Sequence, residues 1–437
     1  MKRRTFLQVG GVAVAGGIEG ILRARRAPAF AQPVKIHLLH PPDFIPEGDV
    51  ELRRQIAEYN KQMKTEVFME NINGNDLQPR ITAAIQTGAG ADIILMFHNW
   101  PHLYAASLAE VSDLCEWKGK DQGGYYEQSE QAARDGSRWL ALPYGIIGNQ
   151  IAYRRSWFAS VGASAPPKTL DEWRKIGAAL KQKGKPIGQT LGHTYGDAPT
   201  FAYPLLWTFG GMETDKTGRK VMLNSKNTVD AVKWMTAFWK DACDEGGLGW
   251  DDTSNNRAFH SGELCSTLNG ASIYIFAKRN SEKIKDEKGE PMWKDISHFN
   301  FPDGPAGKTP TYHLATSHAV MKYSKNIQAA KEFLKHIHGK EQFTKWFETD
   351  YGFNVGATTY WENHPLWNTI DDAMKPYRYT GRGTRMIGYA GPANARAGEI
   401  YSKYVITDMF AKGVQGMKPE DAVRWAEGEL RKVYESS

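Results

Sequence analysis

Three short apolar runs alternate with two amphipathic segments near the start of the chain. The runs at 34–39, 66–70 and 92–97 predict strands, and the last of them, DIILMF, is apolar enough to be buried on both faces. The segments at 49–63 and 76–88 repeat apolar residues at helical spacing, and each begins at an aspartate that can cap a helix. The pattern predicts a β-α-β-α-β unit, which is half of a doubly wound parallel sheet.

The loops that follow these three strands carry candidate ligand contacts. Ligands of such sheets bind beyond the carboxyl ends of the strands, where the loops 40–44, 71–75 and 98–100 should converge. Loops are often polar for other reasons, but two of these three also carry an aromatic ring. The candidate contacts in the first and third loops are Asp43, Phe44, His98, Asn99 and Trp100.

The uncharged segment 139–153, WLALPYGIIGNQIAY, is predicted to be extended and buried. Pro143 and the glycines 145 and 148 do not suit a helix interior, and the run is shorter than the roughly 20 residues that a bilayer requires. We interpret 143–150 as a hinge strand between two lobes, with Tyr144 as a candidate ligand contact. The alternative is an ordinary core strand.

The rest of the chain continues the alternation of helices and strands. The sequence TLDE at 169–172 has the pattern of a capping box and predicts a helix start. The stretch 258–276 predicts a short helix, a strand and a turn at Asn269-Gly270, and further helices are predicted at 227–242, 327–337, 393–412 and 419–434. The aromatic stretch 193–211 supplies four more candidate contacts, Tyr195, Asp197, Phe201 and Tyr203, although some of its rings must belong to a core.

The first 31 residues predict an export signal. They hold six basic residues and one acidic residue, which account for five of the six net positive charges of the 437-residue chain. The paired Arg3-Arg4 resembles a twin-arginine signal, and Ala29-Phe30-Ala31 is an A-x-A cleavage site, so a free periplasmic protein is expected. The alternative route is general secretion. The near-neutral remainder gives no support to a nucleic-acid partner or to membrane insertion after signal removal.

The sequence lacks a signature of catalysis or of a bound cofactor or metal. It has no GxSxG nucleophile elbow and no GxxxxGK[ST] phosphate loop, and His98 and His102 are separated by a proline without a further ligand at suitable spacing. Asp43 and Asp197 are weak candidates for a glycosidase pair. Cys243 and Cys265 could form a disulfide bond, or all three cysteines could be buried thiols. An exported carbohydrate-active enzyme or oxidoreductase remains an alternative to a binding protein.

Aromatic rings mixed with hydrogen-bonding side chains suit a polyhydroxylated ligand. Rings cover the C–H faces of a sugar, while carboxylates, amides and imidazoles bind its hydroxyl groups. The alternative is that the rings form an aromatic core.

Four stretches resemble the family 1 extracellular solute-binding proteins, the maltose-binding-protein-like receptors of ABC importers. They are GADIILMFHNW, LALPYGIIGNQIAYRRSWF, AFHSGELCSTLNGASIYIF and KEFLKHIHGKEQFTKWFETDYGFNV, in the order and spacing of the family. The resemblance places Trp100 in a first stacking loop, Phe201 and Tyr203 near a second stacking position, and Tyr389 near a late one. Ala271 and Ser272 stand where the family usually has a tryptophan after the Asn269-Gly270 turn, a position that Tyr274 could fill.

The resemblance implies an α/β fold of type II with two lobes, each a mostly parallel sheet flanked by helices, and a ligand cleft between them. It implies a first lobe of 32–143 plus 316–352, a second lobe of 148–312 plus 357–437, and hinge crossings at 143–150, 312–318 and 351–356. It also implies a monomeric, non-catalytic receptor that delivers a sugar, oligosaccharide or polyol to an ABC permease. A receptor for a non-sugar solute, such as a polyamine or peptide, is a further alternative.

Overall fold

The computed structural model describes residues 33–435, so the predicted export segment 1–31 lies outside the described residues. The strands are β1 Val34–His40, β2 Thr65–Asn71, β3 Ile93–Phe97, β4 Arg134–Asp135, β5 Arg138–Trp139, β6 Leu142–Ile147, β7 Gln150–Arg154, β8 Ile187–Gly188, β9 Ser266–Asn269, β10 Ile296–Phe299, β11 Leu314–Val320 and β12 Asn354–Gly356.

The helices pack around these strands. The first nine are α1 Pro46–Met63, α2 Leu77–Thr87, α3 Trp100–Leu103, α4 Ser112–Asp121, α5 Glu127–Ala133, α6 Arg155–Ala159, α7 Leu170–Lys181, α8 Asp197–Thr208 and α9 Lys226–Ala242. The others are α10 Ser254–His260, α11 Ser272–Arg279, α12 Ile327–His338, α13 Lys340–Thr349, α14 Leu366–Thr369, α15 Ala395–Ser402, α16 Val405–Val414 and α17 Pro419–Tyr434.

Two sheets organise the molecule, and two hydrophobic clusters pack around them. The first lobe is built on a six-stranded sheet in the order β12-β6-β11-β3-β1-β2, and the second lobe on a four-stranded sheet in the order β10-β7-β9-β8. The predicted two-lobe α/β fold is confirmed. The expectation that each sheet is mostly parallel was wrong, because antiparallel pairs outnumber parallel pairs in both. In the first sheet β1 runs parallel to β2 and β3, as the opening pattern predicts, whereas the late strands β11 and β12 return antiparallel.

The chain passes from the first sheet to the second within two residues. Strand β6 belongs to the six-stranded sheet and β7 to the four-stranded sheet, and only Gly148 and Asn149 separate them. A Cβ at Gly148 would lie 2.6 Å from Thr380 Oγ1 and 2.8 Å from Tyr377 Cδ1, so the close approach requires glycine. Close packing against Thr380 and Tyr377 therefore explains the glycine at position 148 of the predicted hinge strand.

Several predicted boundaries were wrong for physical reasons. Helix α1 begins at Pro46 instead of residue 49, because proline is tolerated in a first turn, and the side chain of Asp49 accepts from the backbone N–H of Asp43. The predicted helix 393–412 is two helices, broken at Tyr404, which has a φ of 55° and a ring stacked on His193. The capping box at Thr169 and Glu172 is confirmed.

Two segments for which no helix was predicted are helical. Residues 100–103 form the one-turn helix α3, whose N-terminal side accommodates Pro101. Helix α11 follows the Asn269-Gly270 turn directly, so Tyr274 lies within a helix. The three cysteines are free and buried, and the alternative Cys243–Cys265 bond is absent from the described structure.

Candidate functional site

Aromatic and polar side chains from both lobes converge on a small cavity between the two sheets, which we call the inner cavity. It encloses about 30 Å³. The first lobe contributes the loop after β1, the end of β3, strand β6 and the segment leading into β12, and the second lobe contributes Tyr195. The lining includes Asp43, Phe44, Phe97, Tyr144, Tyr195 and Phe353.

Tyr195 enters the inner cavity from the turn that precedes α8. Its ring stacks on Phe97 with the centroids 4.4 Å apart. A Cβ at Gly74 would lie 2.3 Å from Tyr195 Cε1, so the β2–α2 loop also packs directly on this ring. The second lobe thus inserts one aromatic side chain between two loops of the first lobe.

An adjoining cavity of about 20 Å³ lies on the side of the second lobe. Asp197 and Asn269 line it together with Asp252, and it shares Phe44 and Tyr195 with the inner cavity. Asp252 accepts from the backbone N–H of Asp197 at 2.7 Å, which satisfies a donor at the start of α8. Asn255 donates to Asp197 Oδ2 at 2.6 Å, so this acid is oriented from within its own lobe.

Each lobe places a pair of acids near the cavities. Burial and the neighbouring Asp350 raise the pKa of Asp43 well above its usual range, and burial raises the pKa of Asp350 to about 7. Burial and Asp252 raise the pKa of Asp197 well above its usual range. Asp43 and Asp197 were considered as a glycosidase pair, but each instead interacts with another carboxylate of its own lobe.

His98 connects the two lobes at the end of β3. Its Nδ1 lies 2.6 Å from Tyr312 Oη, and its Nε2 lies 2.6 Å from Tyr401 Oη and 2.7 Å from the carbonyl oxygen of Tyr195. Burial lowers the pKa of His98 to about 3, so the ring is neutral. With a proton on Nε2, the ring donates to the Tyr195 carbonyl and accepts from Tyr312.

The next two residues occupy different environments. Asn99 Nδ2 donates to the carbonyl oxygens of Ala393 and Asn394 at 3.3 and 3.0 Å, which is a second set of contacts between the lobes. Trp100 is 2% exposed, packs edge-on against Phe97, and lies outside the lining of both cavities.

An outer groove of about 500 Å³ also lies between the lobes. Its first-lobe wall comes from α3, α5 and the β4–β5 turn, and its second-lobe wall comes from residues 384–394. Tyr389 lines it, and the guanidinium of Arg385 lies 3.6 Å from the centroid of that ring. His102, Gln131 and Asn394 supply polar groups.

The remaining candidate residues belong to cores. Phe201 packs against Trp173 and Phe238 on the buried helix α8, and Tyr203 packs against Trp207. Tyr274 is 1% exposed within α11. These rings share the sequence pattern of site rings, but their helix positions direct them into hydrophobic clusters.

Several residues that line the cavities were not among the candidates predicted from the sequence: His40, Thr316, Trp346, Phe353, Asn354 and Asp252. Phe353 and Asn354 lie in the predicted crossing 351–356, so their position in a crossing was an available signal. Thr316 likewise lies in the predicted crossing 312–318 and His40 in the predicted ligand loop 40–44, whereas Trp346 and Asp252 had no distinguishing local pattern.

Two further properties of residues 33–435 bear on the class of protein. Within this range, no group of three histidine, cysteine or acidic side chains is placed to hold a metal ion. Each helix there falls short of the length and apolar character that crossing a bilayer requires.

Comparisons with known proteins agree with this geometry. A probable ABC transporter-binding protein of Deinococcus radiodurans is 21% identical over 363 residues, covering 80% of this chain and 82% of the relative. A putative binding protein of Brucella abortus is 22% identical over 289 residues, covering 63% of this chain and 64% of the relative.

Solved structures share the fold at low identity. Maltose-bound MalE3 of T. maritima has a TM-score of 0.77 and 17% identity, covering 91% of this chain and 99% of its own. A solute-binding protein of Agrobacterium radiobacter K84 in complex with ribitol has a TM-score of 0.73 and 18% identity, covering 91% of this chain and 98% of its own. The model of the bacterial extracellular solute-binding protein family matches residues 54–376, more than half of the chain, so this chain belongs to that family.

Proposed function

We propose that the protein is the periplasmic substrate-binding component of an ABC importer and captures a carbohydrate, as a sugar, oligosaccharide or polyol, between its lobes. The observation that carries this proposal is the convergence of Asp43 and Tyr144 from one lobe with Tyr195, Asp197 and Asn269 from the other around adjoining cavities. Rings and hydrogen-bonding groups in one cleft suit the faces and hydroxyl groups of a sugar. The relative from D. radiodurans and the maltose- and ribitol-bound neighbours support it.

Closure of the lobes around the solute is part of this proposal. The inner and adjoining cavities measure about 30 and 20 Å³, far below the roughly 300–1,000 Å³ of ligand pockets, so a sugar enters only when the lobes separate. The segments 143–150, 312–318 and 351–356 serve as hinges between lobes of 32–143 plus 316–352 and of 148–312 plus 357–437. A solute shifts such an equilibrium only if it binds one form better, which contacts to both lobes provide.

The outer groove extends the proposed site to longer ligands. Its volume of about 500 Å³ falls within the usual range of ligand pockets, about 300–1,000 Å³. The ring of Tyr389 offers one stacking face, and His102, Gln131 and Asn394 offer hydrogen bonds around it.

The protein delivers its solute unchanged to the permease and acts as a monomer. The separation of Asp43 and Asp197 into different acid pairs favours binding over the alternative of an exported glycosidase. Export uses the arginine pair at residues 3 and 4, with cleavage after Ala31. Intact mass of the periplasmic protein tests the cleavage site, and Arg3→Lys with Arg4→Lys should abolish export by the twin-arginine route.

A thermal-shift screen tests the function. Maltose, ribitol, tagatose and glucose are the carbohydrate arm, with putrescine and a tripeptide as the non-sugar arm. A cognate sugar at 100 times its Kd should stabilise the fold by about 2.7 kcal/mol, and mass spectrometry should recover it unchanged. Conversion of the sugar would support an enzyme, and stabilisation by the non-sugar arm alone would contradict the carbohydrate proposal.

A further inference from the structure

Two hydrogen-bond acceptors in the lining of the inner cavity are not fully used, one on His40 and one on Asp43. His40 is 5% exposed, and its Nδ1 lies 2.7 Å from the carbonyl oxygen of Pro41. A carbonyl oxygen only accepts, so the proton of the ring is on Nδ1 and Nε2 carries a lone pair. Among the described residues Nε2 has no hydrogen-bond partner. The cavity wall therefore contains a buried acceptor that is unsatisfied.

Asp43 adds a second acceptor. Its Oδ1 accepts from the backbone N–H of Ile45 at 2.9 Å, whereas its Oδ2 has only a long contact of 3.5 Å with Asn354 Nδ2. That amide makes a closer bond, 3.0 Å, to Asp350 Oδ2. Asp350 Oδ1 is buried and has no partner within residues 33–435. Asp43 Oδ2 and Asp350 Oδ1 can therefore each accept a further hydrogen bond.

The donors at the same place are uncharged, and they include the hydroxyl groups of Tyr144 and Tyr195. The hydroxyl of Thr316 donates to the carbonyl oxygen of Gly145 at 3.1 Å, so its proton is already used. Three aspartates and no lysine or arginine appear among the described residues that line the inner and adjoining cavities. Arg279 approaches the Asp43–Asp350 pair only from outside this lining. A ligand placed here can supply further donors, and a cation among them would offset the burial and the neighbouring Asp350 that raise the pKa of Asp43, so that the carboxylate is charged in the complex.

The other walls of the inner cavity are aromatic. Six rings surround it: Phe44, Phe97, Tyr144, Tyr195, Trp346 and Phe353. The faces of aromatic rings carry partial negative charge and attract cations within about 6 Å of the centroid. Its volume of about 30 Å³ suits one small group such as an ammonium. An aromatic enclosure with a carboxylate and a free acceptor differs from a site built for neutral hydroxyl groups alone, because each hydroxyl brings one donor and no charge.

We propose that the solute is an amino derivative of a sugar or polyol, and that its positively charged amino group occupies the inner cavity against Asp43 and His40. This inference rests on the proposed carbohydrate-binding function and specifies its substrate class. The hydroxylated part extends into the adjoining cavity, where Asp197 and Asn269 provide hydrogen bonds.

Matched pairs of compounds test the inference. Titration calorimetry compares sorbitol with 1-amino-1-deoxysorbitol and glucose with glucosamine, and putrescine is a third arm without hydroxyl groups. Hydrogen bonds to charged groups contribute about 1.5–3 kcal/mol, so the amino member of a pair should bind about tenfold or more tightly. Asp43→Asn should reduce that preference to about threefold or less, because the amide keeps the size of the side chain but not its charge.

Asp76→Asn is the matched control, since Asp76 is exposed and lies outside both cavities. It should keep the wild-type preference, and circular dichroism should show that both variants are folded. Equal binding of the neutral and amino members would overturn this inference and leave the carbohydrate function intact, as would an unchanged preference in Asp43→Asn. Binding of putrescine alone would overturn the carbohydrate function while keeping a cationic ligand, and no binding in any arm would overturn both.

Discussion

The ring of Tyr195 lies parallel to the ring of Phe97, with the planes 6° apart and the centroids separated by 4.4 Å, and so joins the two lobes at the centre of the molecule. Phe97 is the last residue of β3, in the six-stranded sheet, and Tyr195 precedes α8, in the other lobe. Because the inner cavity closes around this pair, the stack belongs both to the ligand site and to the contact between the lobes.

Removal of the Tyr195 ring should favour the open form. An aromatic pair contributes about 0.5–1.5 kcal/mol beyond its buried area, so Tyr195→Ala should shift the closed-to-open ratio by about two- to tenfold. Small-angle scattering of the solute-free protein should show a larger radius of gyration, with an unchanged circular dichroism spectrum. Tyr360→Ala removes a ring that is 40% exposed and serves as the control. An unchanged scattering profile in Tyr195→Ala would mean that this stack does not hold the lobes together.

His98 should make the fold sensitive to acid. Its pKa is about 3 in the folded protein because of burial, against about 6.5 when unfolded, so between these values the unfolded chain binds more protons. Its contribution to stability is complete above about pH 6.5 and decreases by about 1.4 kcal/mol for each unit below it. When the pH falls from about 6.5 to about 5, the unfolding free energy of both proteins should decrease. The decrease should be about 2 kcal/mol smaller in His98→Gln than in the wild type.

Urea unfolding at the two pH values measures this difference. His193→Gln changes a histidine whose side chain is 59% exposed and controls for the loss of a ring. A His98→Gln variant with the same pH slope as the wild type would show that His98 titrates normally in the folded state.

Glu213 should make the fold less stable as the pH rises, which is the opposite of the effect of His98. It is buried beneath the segment that carries Tyr389, accepts from the backbone N–H of Gly388, and has a pKa raised by burial to about 8. The folded pKa exceeds the unfolded value, so its contribution is present below about pH 4.5 and is lost as the pH rises through 8. As the pH rises from about 6 to about 8, ionisation of Glu213 should destabilise the wild type but not Glu213→Gln. The unfolding free energy of the variant should therefore increase by about 2–3 kcal/mol relative to that of the wild type.

The control for this measurement is Glu282→Gln, because the side chain of Glu282 is 92% exposed. Chemical denaturation at both pH values should show no relative gain in the control. A similar lack of gain in Glu213→Gln would contradict a buried, protonated Glu213.

Local patterns predicted the elements better than the site. The capping box at Thr169 and the apolar run of β3 are local signals, and both gave the observed elements. The acid pairs depend on packing between distant segments: Asp43 meets Asp350, and Asp197 meets Asp252, at separations that no local pattern records. The sequence therefore pointed to Asp43 and Asp197 without their partners.

Aromatic residues were the main source of difference between prediction and structure. Trp100 and Phe201 occur in the expected segments, but both are buried in cores. A ring in a loop or helix can point either toward a ligand cleft or into a hydrophobic core. Phe353 lines both cavities, and the only signal for it was its position in the predicted crossing 351–356. Periodicity does not reveal the direction in which a side chain points. That direction depends on the local backbone, as in the turn before α8 that carries Tyr195.

Hydrogen–deuterium exchange with and without the solute identified by thermal shift tests most directly whether one solute binds between the two lobes. Contacts to both lobes should slow exchange in 41–45 of the first lobe and in 194–198 of the second in the same titration, with half-maximal protection at the same solute concentration. Surface segments such as 282–290 should exchange at unchanged rates. Protection confined to one lobe, or none at a concentration that raises the melting temperature, would contradict binding in the cleft.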